Sequence, residues 1–399
     1  LVHYVHYNHL DNLDQSLSLC YSHLSGSILY QMKNHIAFTI IIISEVLVDV
    51  RAWSKTHGAH AQLHLQSRRP SQALLRLANN PEPSESSSSK GAAAGLYRQF
   101  AEYGWERLLS SSSTNNNVLD LSEPQGFVPS ELAHQSVPAR GSTMPDATVN
   151  IEVKALAPSD DSNNADMNPI RLARYALLET ISSPSTTSGE HTQQQNMQDE
   201  NNGKCVCVSG IQVLNFVIFP NETMDLPVFG ADLVTLPGGK HLVAIDFQPL
   251  RVSEDTGDGI LNLSSTDVEA KLKSLHEKYS AVLEWGGDIP EPARRYFSQN
   301  AIWSRQSGAE GLVLVKTAVL DAFKDYLEVY MDELSVAAAA GGCGVNDALD
   351  GSIKNALVEG NASYLAYRKA NDPARPMLKS LYGEEFTERL ISEVLFKGK

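Results

Sequence analysis

Between residues 148 and 247 the chain passes through five stretches, 148–156, 170–179, 205–219, 228–236 and 241–247, that are rich in β-branched and aromatic side chains and bounded by turn formers. That is the pattern of β-strands. Gly238 and Gly239 separate the last two stretches, and such a pair supplies the positive φ angles of a tight hairpin. Strands joined this way pair antiparallel. Downstream the pattern turns helical. Thr266-Asp-Val-Glu269 reads as a capping box opening a helix to about residue 283. Residues 312–336 place Val315, Val319, Ala322, Phe323, Tyr326 and Tyr330 on one broad face, with Lys324, Asp325, Glu328 and Asp332 mostly elsewhere. Gly341-Gly-Cys-Gly344 stops that helix, and two more are predicted over 345–369 and 378–396. Strands first and helices afterwards predict an α+β fold, a three-layer α/β/α sandwich with a central antiparallel sheet flanked by helices.

Upstream of the sheet, Leu96, Phe100, Tyr103 and Leu108 recur at near-helical spacing and predict a short helix over 96–109. Residues 82–94 are a Ser-rich and Gly/Ala-rich linker, 110–117 are again low-complexity, and the polar tract 182–204 is expected to be a mobile loop inside the domain. The first Met is Met32, so residues 1–31 are set aside from the fold. Lys33 and His35 precede the apolar run 36–43, too short for the roughly 20 residues of a membrane span but suited to a signal core. Residues 51–81 then carry Arg51, Lys55, Arg68, Arg69 and Arg76 with no acid, the composition of a transit peptide. The predicted organisation is a disordered leader over 1–95, bipartite in character and directed to a plastid stroma, followed by one domain over 96–399.

Of the 399 residues, Asp and Glu outnumber Lys and Arg by 47 to 32, a formal net charge of -15. Binding phosphates needs a basic face, so no nucleic-acid partner is expected, nor a polybasic membrane surface. The four cysteines include Cys205-x-Cys207, which lacks the spacer and second pair of a zinc or redox site. No metal site is predicted, and the thiols are expected to be reduced.

Two acids, Asp232 and Asp246, stand inside otherwise apolar strands. A carboxyl surrounded by apolar groups is pushed toward its neutral form, and so becomes able to donate a proton near neutral pH. The alternative for Asp232 is a buried carboxylate tied to backbone amides or an arginine. Asp246, next to Gln248-Pro249, is expected to be structural.

Together these segments resemble the ferredoxin-dependent bilin reductases. The resemblance rests on Leu226-Pro-Val-Phe-Gly-Ala-Asp232, the Pro237-Gly-Gly hairpin and Asp246-Phe-Gln-Pro249, then on Tyr296-Phe-Ser298, Trp303-Ser-Arg305, Asn371-Asp-Pro-Ala-Arg375 and Val394-Leu-Phe396. It covers about residues 145–397. It implies an enzyme that holds a bilin between the sheet and the C-terminal helices, binds no flavin or metal, and receives electrons singly from an external reduced [2Fe-2S] ferredoxin. Asp232 falls on the family's central aspartate and Asp372 on its second, helix-side acid. Asn215 occupies the position that is His in the phycocyanobilin-forming branch, which counts against that branch. Asn215, Asn371, Arg305 and Arg375 are expected to contact the substrate, the two arginines through the bilin propionates. The strand is most similar to the branch that reduces the 15,16 methine bridge of biliverdin IXα to 15,16-dihydrobiliverdin in phycobilin synthesis. Asp372 keeps open A-ring reduction to phycoerythrobilin or phytochromobilin, or both steps.

A non-catalytic bilin carrier would share the fold without needing the acids. The implied partners are ferredoxin, biliverdin or dihydrobiliverdin and a downstream bilin reductase, with the chain itself a monomer. Candidates for a basic ferredoxin patch are Lys271, Lys273, Lys278, Arg294, Arg295, Lys316, Lys324 and Lys397.

Overall fold

The computed structural model describes residues 95–112, 119–139, 147–159, 168–182, 210–222, 224–253, 255, 257–263, 265–341 and 351–398. The leader, most of the polar tract and Cys205, Cys207 and Cys343 lie outside the described residues.

In chain order come helix α1 (Arg98–Ser112), strand β1 (Leu121–Ser122), the single turn α2 (Ser130–Ala133), and strands β2 (His134–Pro138), β3 (Ala147–Pro158), β4 (Ile170–Ser182), β5 (Gln212–Pro220), β6 (Val228–Leu236), β7 (Lys240–Gln248), β8 (Arg251–Val252) and β9 (Gly259–Ile260). Then follow α3 (Thr266–Ser280), a 3-10 turn (Ala293–Tyr296), β10 (Ile302–Ser307), α4 (Gly308–Leu314), a π-helical turn (Val315–Val319), α5 (Leu320–Gly341), α6 (Gly351–Ala370), α7 (Arg375–Tyr382), α8 (Glu384–Arg389) and a last π-helical turn (Leu390–Leu395).

The main sheet has eight strands in the order β1-β3-β4-β5-β6-β7-β10, with β2 also on β3, and each pairing is antiparallel. At the β6–β7 turn, Gly238 and Gly239 adopt φ of 89° and 74°, as that hairpin requires.

Successive side chains of a strand point to opposite faces, so β5, β6 and β7 each feed two cores. One face presents Phe216, Phe229 and Phe247 to α1, α3 and α5. There Phe323 meets Phe100, Phe216 and Phe229 at ring-centroid distances of 5.6, 5.5 and 6.0 Å. The predicted apolar stripe holds, since Val315 and Val319 of the π-helical turn and Ala322, Phe323, Tyr326 and Tyr330 of α5 are all fully buried. The other face presents Val217, Phe219 and Val228 to α6, α7 and the last turn through Tyr364, Leu365, Leu378, Leu390 and Phe396. Helices therefore cover both sides of one antiparallel sheet, the three layers expected.

Three local expectations are corrected. Helix α3 is capped by Ser265, whose Oγ accepts from the Val268 amide at 3.3 Å, and not by Thr266; Ser265 has the extended backbone a cap needs. Residues 302–307 form an edge strand on β7 that sequence reading left as an isolated motif. The single helix over 378–396 is three pieces, because Gly383 at φ 88° ends α7.

Candidate active site

Residues directly opposite on paired strands share a face. Register places Asp232 opposite Asn215 on β5 and Ala244 on β7. It places Asn215 opposite Ala176 on β4 and Ala244 opposite Trp303 on β10. The row Ala176–Asn215–Asp232–Ala244–Trp303 thus crosses five strands, roughly 19 Å at the usual strand spacing. A second row joins Arg174, Val217, Gly230 and Asp246. Both rows belong to the face covered by α6.

Helix α6 lowers Tyr364 and Arg368 onto this floor. Arg368 Nη2 donates to Asp232 Oδ2 at 3.1 Å, and the side chains of the pair are 13% and 33% exposed. Asn215 Nδ2 donates to Asp232 Oδ1. Asp232 is therefore not ringed by apolar groups, as its strand suggested; of the two readings open to it, the structure shows the arginine-tied carboxylate. Burial alone would pull the Arg368 guanidinium down, but Asp232, Tyr364 and Asp372 outweigh it and raise it.

Asp372 sits just beyond α6, and its Oδ1 accepts from the Ala374 amide at 2.7 Å. Burial pushes its carboxyl above the ordinary range, with Arg368 pulling it back and Asp232 pushing it further. The upward push that burial was expected to give Asp232 acts here. It recurs at Asp246, which is 1% exposed and pushed up to about 7 by burial, against the opposing pull of its bonds from Ser298. Those bonds, from Ser298 N at 2.8 Å and Ser298 Oγ at 2.6 Å, fasten the turn before β10, the structural task expected of Asp246.

The remaining expected contacts lie apart. Arg305 is exposed on edge strand β10, over the Trp303 ring at 5.8 Å. Asn371 is exposed and donates to the Tyr367 carbonyl at 3.0 Å, closing the end of α6. Arg375 pairs with Glu388 and donates to the Lys369 carbonyl, a brace between α6 and α8. Of the basic-patch candidates, Lys271, Lys278 and Arg294 pair with Asp332, Asp325 and Glu291. Among the described residues no three His, Cys, Asp or Glu side chains group as a metal site, and no helix is long and apolar enough to cross a membrane.

Sequence reading missed Arg368 and Arg174. Arg174, one of two arginines in the largely apolar run 170–179, was a signal of the same kind as Asp232. Arg368, beside Lys369 on an amphipathic helix, looked like an ordinary surface charge.

The family model for ferredoxin-dependent bilin reductases matches residues 203–397. A phycoerythrobilin:ferredoxin oxidoreductase of Prochlorococcus marinus (strain MIT 9303) is 40% identical over 197 residues, covering 48% of this chain and 70% of that protein. The chain belongs to the ferredoxin-dependent bilin reductases. Membership makes it an oxidoreductase. This bilin reductase is also 42% identical over 188 residues to a phycoerythrobilin:ferredoxin oxidoreductase of Nostoc punctiforme, covering 47% of this chain and 66% of that protein. A solved structure of tomato phytochromobilin synthase in complex with biliverdin aligns with a TM-score of 0.48 at 22% identity, covering 75% of this chain and 82% of that one. In the bilin reductase, the site described above lies between the sheet and α6, where the resemblance implies that the pigment binds.

Proposed function

We propose that the chain uses electrons from ferredoxin to reduce the A-ring side of a dihydrobiliverdin and so forms phycoerythrobilin. This departs from the methine-bridge reduction suggested by the strand motif. The observation that carries it is Asp372: of the two acids implied to serve the pigment, burial favours the protonated form of the helix-side one, while Asp232 is ion-paired. The naming of the two cyanobacterial relatives supports the same reaction.

The chemistry requires two electrons and two protons. Each one-electron reduction of a conjugated tetrapyrrole raises its proton affinity, and a positioned neutral acid answers it faster than water in a closed site. Asp372 supplies the first proton. Asp232, a third exposed, relays the second from solvent. Arg368 pairs with Asp232 and lowers Asp372, and so opposes the upward push of burial on Asp372. Arg305 on the open edge is the arginine available for a propionate.

The test is to offer purified protein and reduced ferredoxin either biliverdin IXα or 15,16-dihydrobiliverdin, anaerobically, and to separate the products by chromatography. Phycoerythrobilin from dihydrobiliverdin supports the proposal. Conversion of biliverdin to dihydrobiliverdin alone returns the reaction to the methine bridge, and binding with an unchanged spectrum makes the chain a carrier. We place this activity in a plastid, on the signal-like and transit-like composition upstream of residue 81. Residues 32–95 fused to a fluorescent protein should enter plastids, and cytosolic fluorescence would overturn that placement.

A further inference from the structure

We propose that Arg174 is a positioning residue for the acid at the site: it sets the orientation of the Asn215 amide, and through it decides which oxygen of Asp232 carries the proton. The proposal rests on the bilin-reductase reading above.

Arg174 lies on β4 and is completely buried. Its Nε donates to the Leu395 carbonyl at 2.7 Å and its Nη1 to Asn215 Oδ1 at 2.5 Å. A guanidinium only donates, whereas an amide offers one accepting and one donating end. Asn215 must therefore turn its oxygen to Arg174, which leaves its NH2 facing Asp232, where it donates to Oδ1. With the amide reversed, NH2 would face guanidinium and carbonyl would face carboxylate, two repulsive contacts. Asp232 Oδ1 is thus always an acceptor. The remaining oxygen, Oδ2, meets Arg368 and is the one left to carry a proton.

The grip on Arg174 comes from the end of the fold. The last turn, Leu390–Leu395, is π-helical, with the Phe396 amide bonded back to Ile391. A helix end leaves carbonyls unsatisfied, and that of Leu395 is aimed at Arg174. The Phe396 ring lies 5.2 Å from the Arg174 guanidinium and 4.9 Å from that of Arg368. The Val394-Leu-Phe396 motif thereby has a task at the site, as the clamp that holds one arginine and backs the other.

The charged and titratable groups around Asp232 are Arg174 from the sheet, Tyr364 and Arg368 from α6, and Asp372 beyond it. Asp246 reaches this set through Tyr364. Removing Arg174 frees the Asn215 amide to reverse, so that its NH2 no longer has to face Asp232 Oδ1.

The experiment is single-turnover bleaching of bound bilin by reduced ferredoxin across pH, with the full chain and its melting temperature as a folding control. For Arg174→Gln the pH profile of the second proton transfer, the step given to Asp232, should shift, with about a tenfold slower rate at neutral pH. Asn215→Ala should do the same. Because Arg174 acts through Asn215, the double variant should be no worse than Asn215→Ala. If Arg174→Gln does not fold, Arg174→Lys replaces it, with a smaller shift in the same direction. An unchanged profile, or strictly additive losses in the double variant, overturns the proposal. If wild-type protein binds bilin without reducing it, the reductase reading fails by itself. The pH dependence of the bound pigment's absorption band, compared between wild type and Arg174→Gln, then decides the positioning role.

Discussion

Asp232 on the sheet and Arg368 on helix α6 meet at 3.1 Å across the layer boundary where the pigment is proposed to lie. Neither partner makes sense alone. A carboxylate in mid-strand and a guanidinium beneath a helix are each costly to cover, and together they tie the C-terminal layer to the sheet. Replacing Arg368 by Gln should lower stability by roughly 1–3 kcal/mol, the usual cost of leaving a covered polar partner unmet. It should also cut reductase activity at least tenfold. Chemical denaturation and single-turnover rates check the two parts, and an unchanged denaturation midpoint would count against the tie.

The two acids should separate kinetically. Asp372 donates only while protonated, so the rate should fall as pH rises through its raised pKa. In Asp372→Asn that limb should disappear, with a loss of roughly 10²–10⁴-fold. Retention of the limb in that variant would assign it to another group.

Asp232→Asn keeps the size of the side chain but removes the charge facing Arg368. It should still bind bilin and accept the first electron, then stall as a radical visible by electron paramagnetic resonance. Full turnover would remove Asp232 from the chemistry.

Asp246 makes stability pH-dependent. Its carboxyl is at about 7 in the fold against the ordinary 3.8, so the folded chain favours the protonated form. Its stabilising contribution is complete below pH 3.8 and is lost as pH climbs through 7, a swing of up to about 4 kcal/mol at 1.4 kcal/mol per unit. Melting curves of wild type and Asp246→Asn between pH 4 and 8 should therefore converge or cross as pH rises. A constant gap would show that Asp246 is ionised throughout.

On the face away from the site, Phe323→Ala should cost about 3–5 kcal/mol, because three aromatic neighbours cannot close the cavity. Activity per folded molecule should hold, since Phe323 packs in the opposite layer from Asp232. A selective loss of activity at full stability would link the two layers in a way the packing does not show.

Strands β6 and β7 were legible because both runs are rich in β-branched and apolar side chains and the Gly238-Gly239 turn joins them. The stripe from Val315 to Tyr330 was legible because apolar and aromatic residues recur there at helical spacing. Strand β10 was not, since Trp303 and Arg305 give no alternation and the strand exists only because β7 offers it an edge. The site divides the same way. Asp232 and Asp372 stood out as acids in recognisable motifs. Arg174 and Arg368 did not, since an arginine shows its worth only through what it faces.

By itself, then, the order of side chains determined the layers, the hairpin and the two acids, because periodicity and turn chemistry act over a few neighbouring residues. Which acid burial pushes upward was decided only in three dimensions. Arg368 is 136 residues from Asp232 in the chain, and it is burial together with the nearest opposite charge, neither of them local along the chain, that sets the ionisation of a carboxyl group.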